Sequence, residues 1–337
     1  MFTKYSSLEN HTNNKFLDKV WYFLDENQLR NVEFVAREKI HGTNFSVIIT
    51  KDSIQAAKRT GPILETEKFF GYEDLMARYK DSFKSIQANA LIQNGWTYQV
   101  FGEYAGGNIQ KEVDYGDKDL YVFDVLVTSP DGELTYAKDS HMVVIAENSG
   151  LKVAPLIKRG TLEELLKLPV EFESVIGEYN EMYKADGNYS SISYEHEQRV
   201  PASNVAEGLV IKPERPITLP GGSRLAIKYK TDAFKEKGKG KAPKIVKEME
   251  QSDIDLLDKF SEYVTPARVG NVISHIGELT KKDFGKILGL TMRDIFVEAE
   301  REGLTIDQAI SPSRLKGELQ KIVQTQVREV WVTLDIN

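Results

Sequence analysis

At 337 residues the chain exceeds the size that one hydrophobic core usually serves, so two domains are the default expectation. It has no cysteine, which excludes disulfide frameworks, thiolate zinc sites and cysteine nucleophiles. A net charge of -7 excludes a protein coated in basic surface, so a nucleic-acid partner requires locally concentrated positive charge.

Taken in chain order, the opening MFTKYSSLENHTNNK has no apolar signal region, and no later apolar run is long enough to span a bilayer. A soluble cytoplasmic protein without membrane attachment is expected. The first two-thirds then offers short, mostly alternating or β-branched runs: VEFVAREK, NFSVIITK, SIQAAKR, WTYQVFGEY, LYVFDVLVT, EGLVIKP and RLAIKYK. The Gly, Pro, Asn and Asp breaks between them favour antiparallel or mixed sheets over a regular βαβ series. After about Phe234 the character changes. KEKGKGKAPKIVKEME concentrates Lys235, Lys237, Lys239, Lys241, Lys244 and Lys247 without apolar periodicity and reads as a basic linker.

Beyond the linker the pattern is helical. Ser252 is placed to N-cap a run whose stripe is Ile254, Leu257, Phe260, Tyr263 and Val264, stopped near Pro266. Thr305 with Gln308 forms a capping box, and Ser311-Pro312 is an N-cap followed by proline at the first helical position. Ile273, Ile276, Leu279, Phe284, Ile287, Leu288, Ile295, Phe296, Leu315, Leu319, Ile322 and Val323 are the expected core of this part. The expected architecture is an α+β domain over residues 1–234, a basic linker over 235–249 and a small all-helical domain over 250–337.

KIHG, Lys39 to Gly42, falls where one strand-like run stops and the next begins, which puts Lys39 at a strand end beside a tight connection. Alone, K-x-x-G is commonplace. Later segments add Arg59 in RTGPI, Glu103 in YQVFGE, Phe123 and Asp124 in VFDVLV, Glu207 and Lys212 in AEGLVIKP, and Lys228 and Lys230 in AIKYK. Each has a bland reading as a strand-end or solvated charge. Asp124 resists it best, because a carboxylate flanked by YVF and VLV is expensive to bury unless paired or functional. Together they supply a nucleophilic amine, cations for phosphates, and carboxylates for metal and ribose. Glu207 and Lys212 differ in parity, so either Gly208 marks a bulge or Glu207 lies just before the strand.

The ordered series KIHG, FGE, FDV, EGLVIK and AIKYK resembles the nucleotidyl-transferase motifs of polynucleotide ligases and mRNA capping enzymes. The fuller strings KYSSLEN, REKIHGTNF, KRTGPI, YQVFGEYAG, VDYGDKDLYVFD, AEGLVIKP and AIKYK are similar to phage-type RNA ligase 2, whose relatives include the kinetoplastid RNA-editing ligases. FGKILGL and REGLT extend the similarity into the helical region. His41 stands where DNA ligases and capping enzymes usually have Asp, and a helical tail replaces the OB-fold that follows AIKYK in those enzymes.

The resemblance implies an ATP-dependent RNA ligase that seals 3′-OH and 5′-phosphate ends, preferentially at nicks in duplex RNA, with AMP carried covalently on Lys39. It implies Mg²⁺ as cofactor, with Mn²⁺ able to stand in, a monomer, and the host cytoplasm for a phage member. Residue by residue, Glu103 would contact the ribose and Phe123 would stack on adenine. Lys228 and Lys230 would hold the α-phosphate, and Arg59 would help adenylylation. Arg37, Ile40, His41, Asn44 and Lys212 would complete the nucleotide site, and Glu207 and Asp124 would serve the metal. An attacking lysine must shed its proton, which neighbouring cations favour. The helical domain is the expected place for RNA contacts, with Arg268, Asn271 and Lys281-Lys282 as candidates. A DNA ligase or guanylyltransferase is disfavoured by His41 and the helical tail. A catalytically inactive RNA-binding module on the same fold is the alternative from another class, disfavoured by intact Lys39, Glu103, Glu207, Lys228 and Lys230. A P-loop kinase lacks its G-x-x-x-x-G-K-[ST] pattern.

Overall fold

A computed structural model describes residues 1–186, 203–234, 249–280 and 282–334. The chain divides into two compact units, Met1–Thr231 and Asp232–Asn337. The basic stretch over 235–248 and Lys281 lie outside the described residues.

The first unit is α+β. Its strands are β1 (Glu9–Asn10), β2 (Phe34–Glu38), β3 (Thr43–Ile49), β4 (Ile54–Lys58), β5 (Gly61–Pro62), β6 (Thr97–Ala105), β7 (Asp119–Thr128), β8 (Leu134–Tyr136), β9 (Lys152–Val153), β10 (Leu156–Gly160), β11 (Gly208–Pro213) and β12 (Ile227–Lys230). One sheet runs β1-β12-β11-β2-β10 and the other β5-β4-β3-β6-β7-β8, with β9 beside β7. Pairings are antiparallel except β1 with β12 and β7 with β9, so both sheets are mixed. All seven runs expected as strands are strands. The alternation test missed β10, a short run behind Pro155 that pairs with β2 and makes it an interior strand.

Helix α1 (Asn14–Glu26) shows why the local sequence folds as it does. Asn13 accepts a hydrogen bond from the Phe16 amide as N-cap, and Phe16, Val20 and Leu24 form one buried stripe at four-residue spacing. Each such side chain contributes about 1.5–3 kcal/mol by leaving water. The helix α2 (Tyr72–Arg78) and α3 (Lys80–Gln87) place Leu75, Phe83 and Ile86 in a core with Phe45, Val47 and Val100 of β3 and β6. Helix α4 (Ala90–Gln93) adds Ile92, and α5 (Asp139–Asn148) adds Met142, Val143 and Ala146. The unit is completed by α6 (Leu162–Leu165) and α7 (Ile176–Asp186).

The second unit is helical among its described residues: α8 (Gln251–Ser261), α9 (Pro266–Ile276), α10 (Phe284–Arg301) and α11 (Pro312–Trp331). Ile276, Ile287, Ile295, Leu315, Leu319 and Val323 are buried in its core, and the other six expected core residues pack against it. Two capping details differ from expectation. Glu250 is the N-cap of α8, so Ser252 lies inside the first turn. Pro266 opens α9 rather than ending α8, and Thr265 caps it by accepting from the Arg268 amide. The Thr305–Gln308 capping box is present on a single 3₁₀ turn. Ser311 is the N-cap of α11, but its own amide and that of Ile310 donate to the buried Asp253.

Candidate active site

The chemistry gathers where β2 ends. The Lys39 amide donates to the Gly208 carbonyl at 2.8 Å, which ties the lysine to the start of β11. The chain then turns through Ile40, which is buried, into β3. Gly42 is needed for space rather than for an unusual dihedral: a Cβ there would stand 2.4 Å from the Tyr104 carbonyl oxygen. Gly208 answers the parity question raised by the sequence. Glu207 lies just before β11, and Gly208 has φ +141° with room for no Cβ, since one would meet the Tyr229 carbonyl at 2.1 Å.

Glu207 is the hub. One carboxylate oxygen takes Lys39 Nζ at 2.7 Å and His41 Nδ1 at 3.3 Å, and the other takes Lys230 Nζ at 2.8 Å. Burial by itself would raise the Glu207 carboxyl, but Lys230 and Lys39, helped by His41, hold it well below the usual carboxylate range. The Lys39 side chain keeps 19% of its surface exposed while that of Glu207 keeps 2%, so of the pair the lysine is the one that solvent reaches. The His41 ring is also bonded through Nε2 to Glu112 at 3.2 Å, and its amide donates to the Tyr115 hydroxyl at 2.8 Å.

Glu103 and Asn44 are directly opposed in the β3–β6 register. Desolvation pushes the Glu103 carboxyl up to about 7, against the pull of Lys39, His41 and Arg59, so these residues share one electrostatic environment. Arg59 is partly exposed one residue past β4. Lys228 is partly buried on β12, opposite Val210. The structure thus draws Lys39, Ile40, His41, Asn44, Arg59, Glu103, Glu207 and Lys230 together around one strand end.

Three further residues assigned to the site by sequence are tied into a second charged network. Arg37 is buried and makes a two-point pair with Asp139, Nε–Oδ1 2.8 Å and Nη2–Oδ2 2.6 Å, and donates to the Ala154 carbonyl at 2.7 Å. Lys212 donates to the Phe123 carbonyl at 2.6 Å and to Asp124 at 2.8 Å, and stands 3.5 Å from Asp139. Asp124 also receives Arg224 at 2.8 and 2.9 Å and the Tyr5 hydroxyl at 2.5 Å. Burial would raise Asp124, but Arg224 and Lys212 take it down to about 2. This second network joins β11 of one sheet to β7 of the other. Phe123 borders it: its ring lies edge-on to Tyr5, with centroids 5.0 Å apart.

The metal assignment fares differently from the rest. Among the described residues no group of three or more His, Asp or Glu side chains is arranged to hold a metal ion. Glu207 is engaged by two lysines and a histidine, and Asp124 by an arginine, a lysine and a tyrosine. Glu207 already accepts from three donors and Asp124 from four, so neither presents the open face that a protein-built metal cage needs. In the second unit Arg268 is buried, donating to the Tyr263 carbonyl at 2.9 Å and pairing with Asp294 at 2.5 Å, so it braces α9 against α10.

Sequence reasoning missed Glu112, Tyr115, Tyr5, Arg224 and Asp139. Arg224 and Tyr5 stand inside strings already singled out, RLAIKYK and KYSSLEN, and the apolar surroundings of Asp124 demanded partners of this kind. Asp139 and Glu112 carried no local signal.

A family model described as RNA ligase matches residues 32–230, and one described as T4 RNA ligase 2 C-terminal matches residues 246–330. Solved structures that match include an apo mutant of Naegleria gruberi RNA ligase, at 17% identity and TM-score 0.45 over 69% of this chain and 56% of that one. A mutant of that ligase with ATP and Mn matches at 16% identity and TM-score 0.45, with 69% and 56% covered. A mutant with AMP and Mn matches at 17% identity and TM-score 0.45, with 69% and 57% covered. This chain therefore spans just over half the length of those proteins.

Proposed function

The chain belongs to the RNA ligase family, and from that membership we propose that it is an ATP-dependent RNA ligase that works through a covalent lysyl-AMP on Lys39. The observation that carries the reading is the set Lys39, Glu207, Lys230 and His41: a partly exposed amine aimed by a buried carboxylate, with further cations beside it. A lysine meant only for stability has no need of such company.

In the first step the Lys39 amine attacks the ATP α-phosphorus. A P–N bond forms, the bond to pyrophosphate breaks, and the amine gives up a proton. Lys230 and His41 meet the negative charge that develops on the phosphate. Glu207 holds the nitrogen in place through the 2.7 Å contact. An oxygen of an RNA 5′-phosphate then attacks the same phosphorus and Lys39 leaves, regaining its proton. Last, a 3′-hydroxyl attacks the RNA 5′-phosphate, and AMP departs. Each displacement is easier than direct joining because the leaving group has been activated beforehand. Glu103 and Phe123 are assigned to ribose and adenine, and Arg59 and Lys228 to phosphate. Mg²⁺ or Mn²⁺ would ride on the nucleotide's own phosphates and would offset their negative charge.

Nicked duplex RNA is the proposed substrate, sealed by a monomer. With a net charge of -7, the chain would meet such a substrate where its cations gather locally, through phosphates, 2′-hydroxyls and A-form shape. Among the described residues no helix is long and apolar enough to cross a membrane. The test is direct: incubation with labelled ATP or GTP, followed by acid precipitation, and then sealing of one nick placed in RNA, DNA and hybrid duplexes. An acid-stable adduct with ATP and preferential sealing of the RNA nick are expected. Labelling by GTP alone, or no adduct at all, would overturn the reading.

A further inference from the structure

His41 lies between two carboxylates on different segments. Nδ1 is 3.3 Å from Glu207 Oε2, and Nε2 is 3.2 Å from Glu112 Oε2. Ionised carboxylates only accept hydrogen bonds, so both contacts are satisfied together when both ring nitrogens carry protons. Glu112 stands on the segment between β6 and β7, which is anchored nearby: Gln110 donates to the Gly42 carbonyl at 2.7 Å, and the His41 amide donates to Tyr115. The Glu112 side chain is 63% exposed while that of His41 is 7% exposed, so Glu112 grips the ring from the solvent side.

We propose that Glu112 is a positioning residue for lysine adenylylation: it holds the His41 ring so that the ring braces the Glu207 carboxylate against Lys39. This deepens the ligase reading and rests on it. The chain of contacts runs Glu112, His41, Glu207, Lys39, with Lys230 on the far oxygen of Glu207. The other groups facing the ring are Glu103 from β6, felt through its charge, and the Tyr115 hydroxyl beneath the amide. Burial by itself would lower the His41 imidazole. The bonds to Glu112 and Glu207 outweigh it and raise the group above its ordinary value, and the same contact lowers Glu112. Losing Glu112 removes the acceptor at Nε2, and the brace on Glu207 slackens.

Because Glu112 is largely exposed, its variants should fold. Single-turnover formation of lysyl-AMP is measured against ATP concentration in wild type, Glu112→Ala and Glu112→Gln. The alanine variant should lose about fivefold in maximal rate with half-saturating ATP unchanged, and glutamine, which keeps an acceptor, should restore part of it. In parallel, ring-nitrogen NMR of the 5 histidines should show His41 titrating at lower pH in Glu112→Ala. An alanine variant that adenylylates at the wild-type rate, or an unchanged His41 titration, would refute the positioning role with the ligase reading intact. If wild type forms no lysyl-AMP, the ligase reading falls and the adenylylation role with it, even where the NMR shift shows the contact.

Discussion

The first unit contains two clusters of buried charge that use the same residue types for opposite ends. Around Asp124 and Asp139, the arginines and Lys212 converge on carboxylates that are closed on every side, and the Tyr5 hydroxyl completes the set. Around Glu207, two lysines and a histidine share one carboxylate, and the Lys39 amine keeps an open side. The first arrangement buries its carboxylates and holds two sheets together. The second keeps one lysine within reach of solvent, beside a carboxyl, Glu103, that desolvation has pushed up to about 7. A reachable amine set among other cations is what phosphate chemistry needs. Closure is what stability needs.

The comparison breaks most sharply at Lys39. Lys39→Ala should abolish the AMP adduct seen by mass spectrometry, while urea unfolding shifts by no more than about 1 kcal/mol, because a partly exposed strand-end lysine adds little stability. A retained adduct would move the nucleophile elsewhere. Next in size is Arg224→Ala, which leaves Asp124 short of its two-point partner in a dry setting and should cost about 3–5 kcal/mol in urea unfolding. If it costs no more than Lys39→Ala, the second network is not a structural tie. Gly208→Ala probes the joint between the two: its Cβ would collide with the Tyr229 carbonyl, so about 1–3 kcal/mol of stability should be lost together with adduct formation, as Glu207 is displaced.

The smallest effect is acid sensitivity. Asp124 is depressed in the folded state, from 3.8 to about 2. Its contribution is therefore complete above the unfolded value and is lost as pH falls through about 2. At order of magnitude that is about 2 kcal/mol, since each unit corresponds to about 1.4 kcal/mol. Unfolding measured from pH 5 to pH 2 should show this slope in wild type and a flatter one in Asp124→Asn. Equal slopes would assign the acid sensitivity to other carboxylates.

Strands were legible wherever alternation met a turn signal, and β10 was not, because a short run behind a proline carries no period. The helical core was legible because its apolar residues recur on one face over long helices, while Ser252 was read as a cap because capping chemistry is shared by neighbouring positions within one turn. Lys39, His41, Glu207 and Lys230 were legible through the order and spacing of their motifs. Arg37, Lys212 and Asp124 came with the same motifs, yet a motif records that a residue belongs near a site, not which way its side chain points.

By itself, then, the amino-acid sequence determined the α+β unit followed by helices and the family, and it singled out Lys39 as the candidate nucleophile. Those follow from local periodicity and from residue types at fixed spacing along the chain. Only the tertiary structure decided which cations meet which carboxylates. Lys212 went to Asp124, Lys230 to Glu207 and Glu112 to His41 across 88, 23 and 71 positions respectively. Pairing at such distances is set by how two sheets pack and how loops close over them, and Coulomb attraction between buried groups acts through space, blind to their order in the chain.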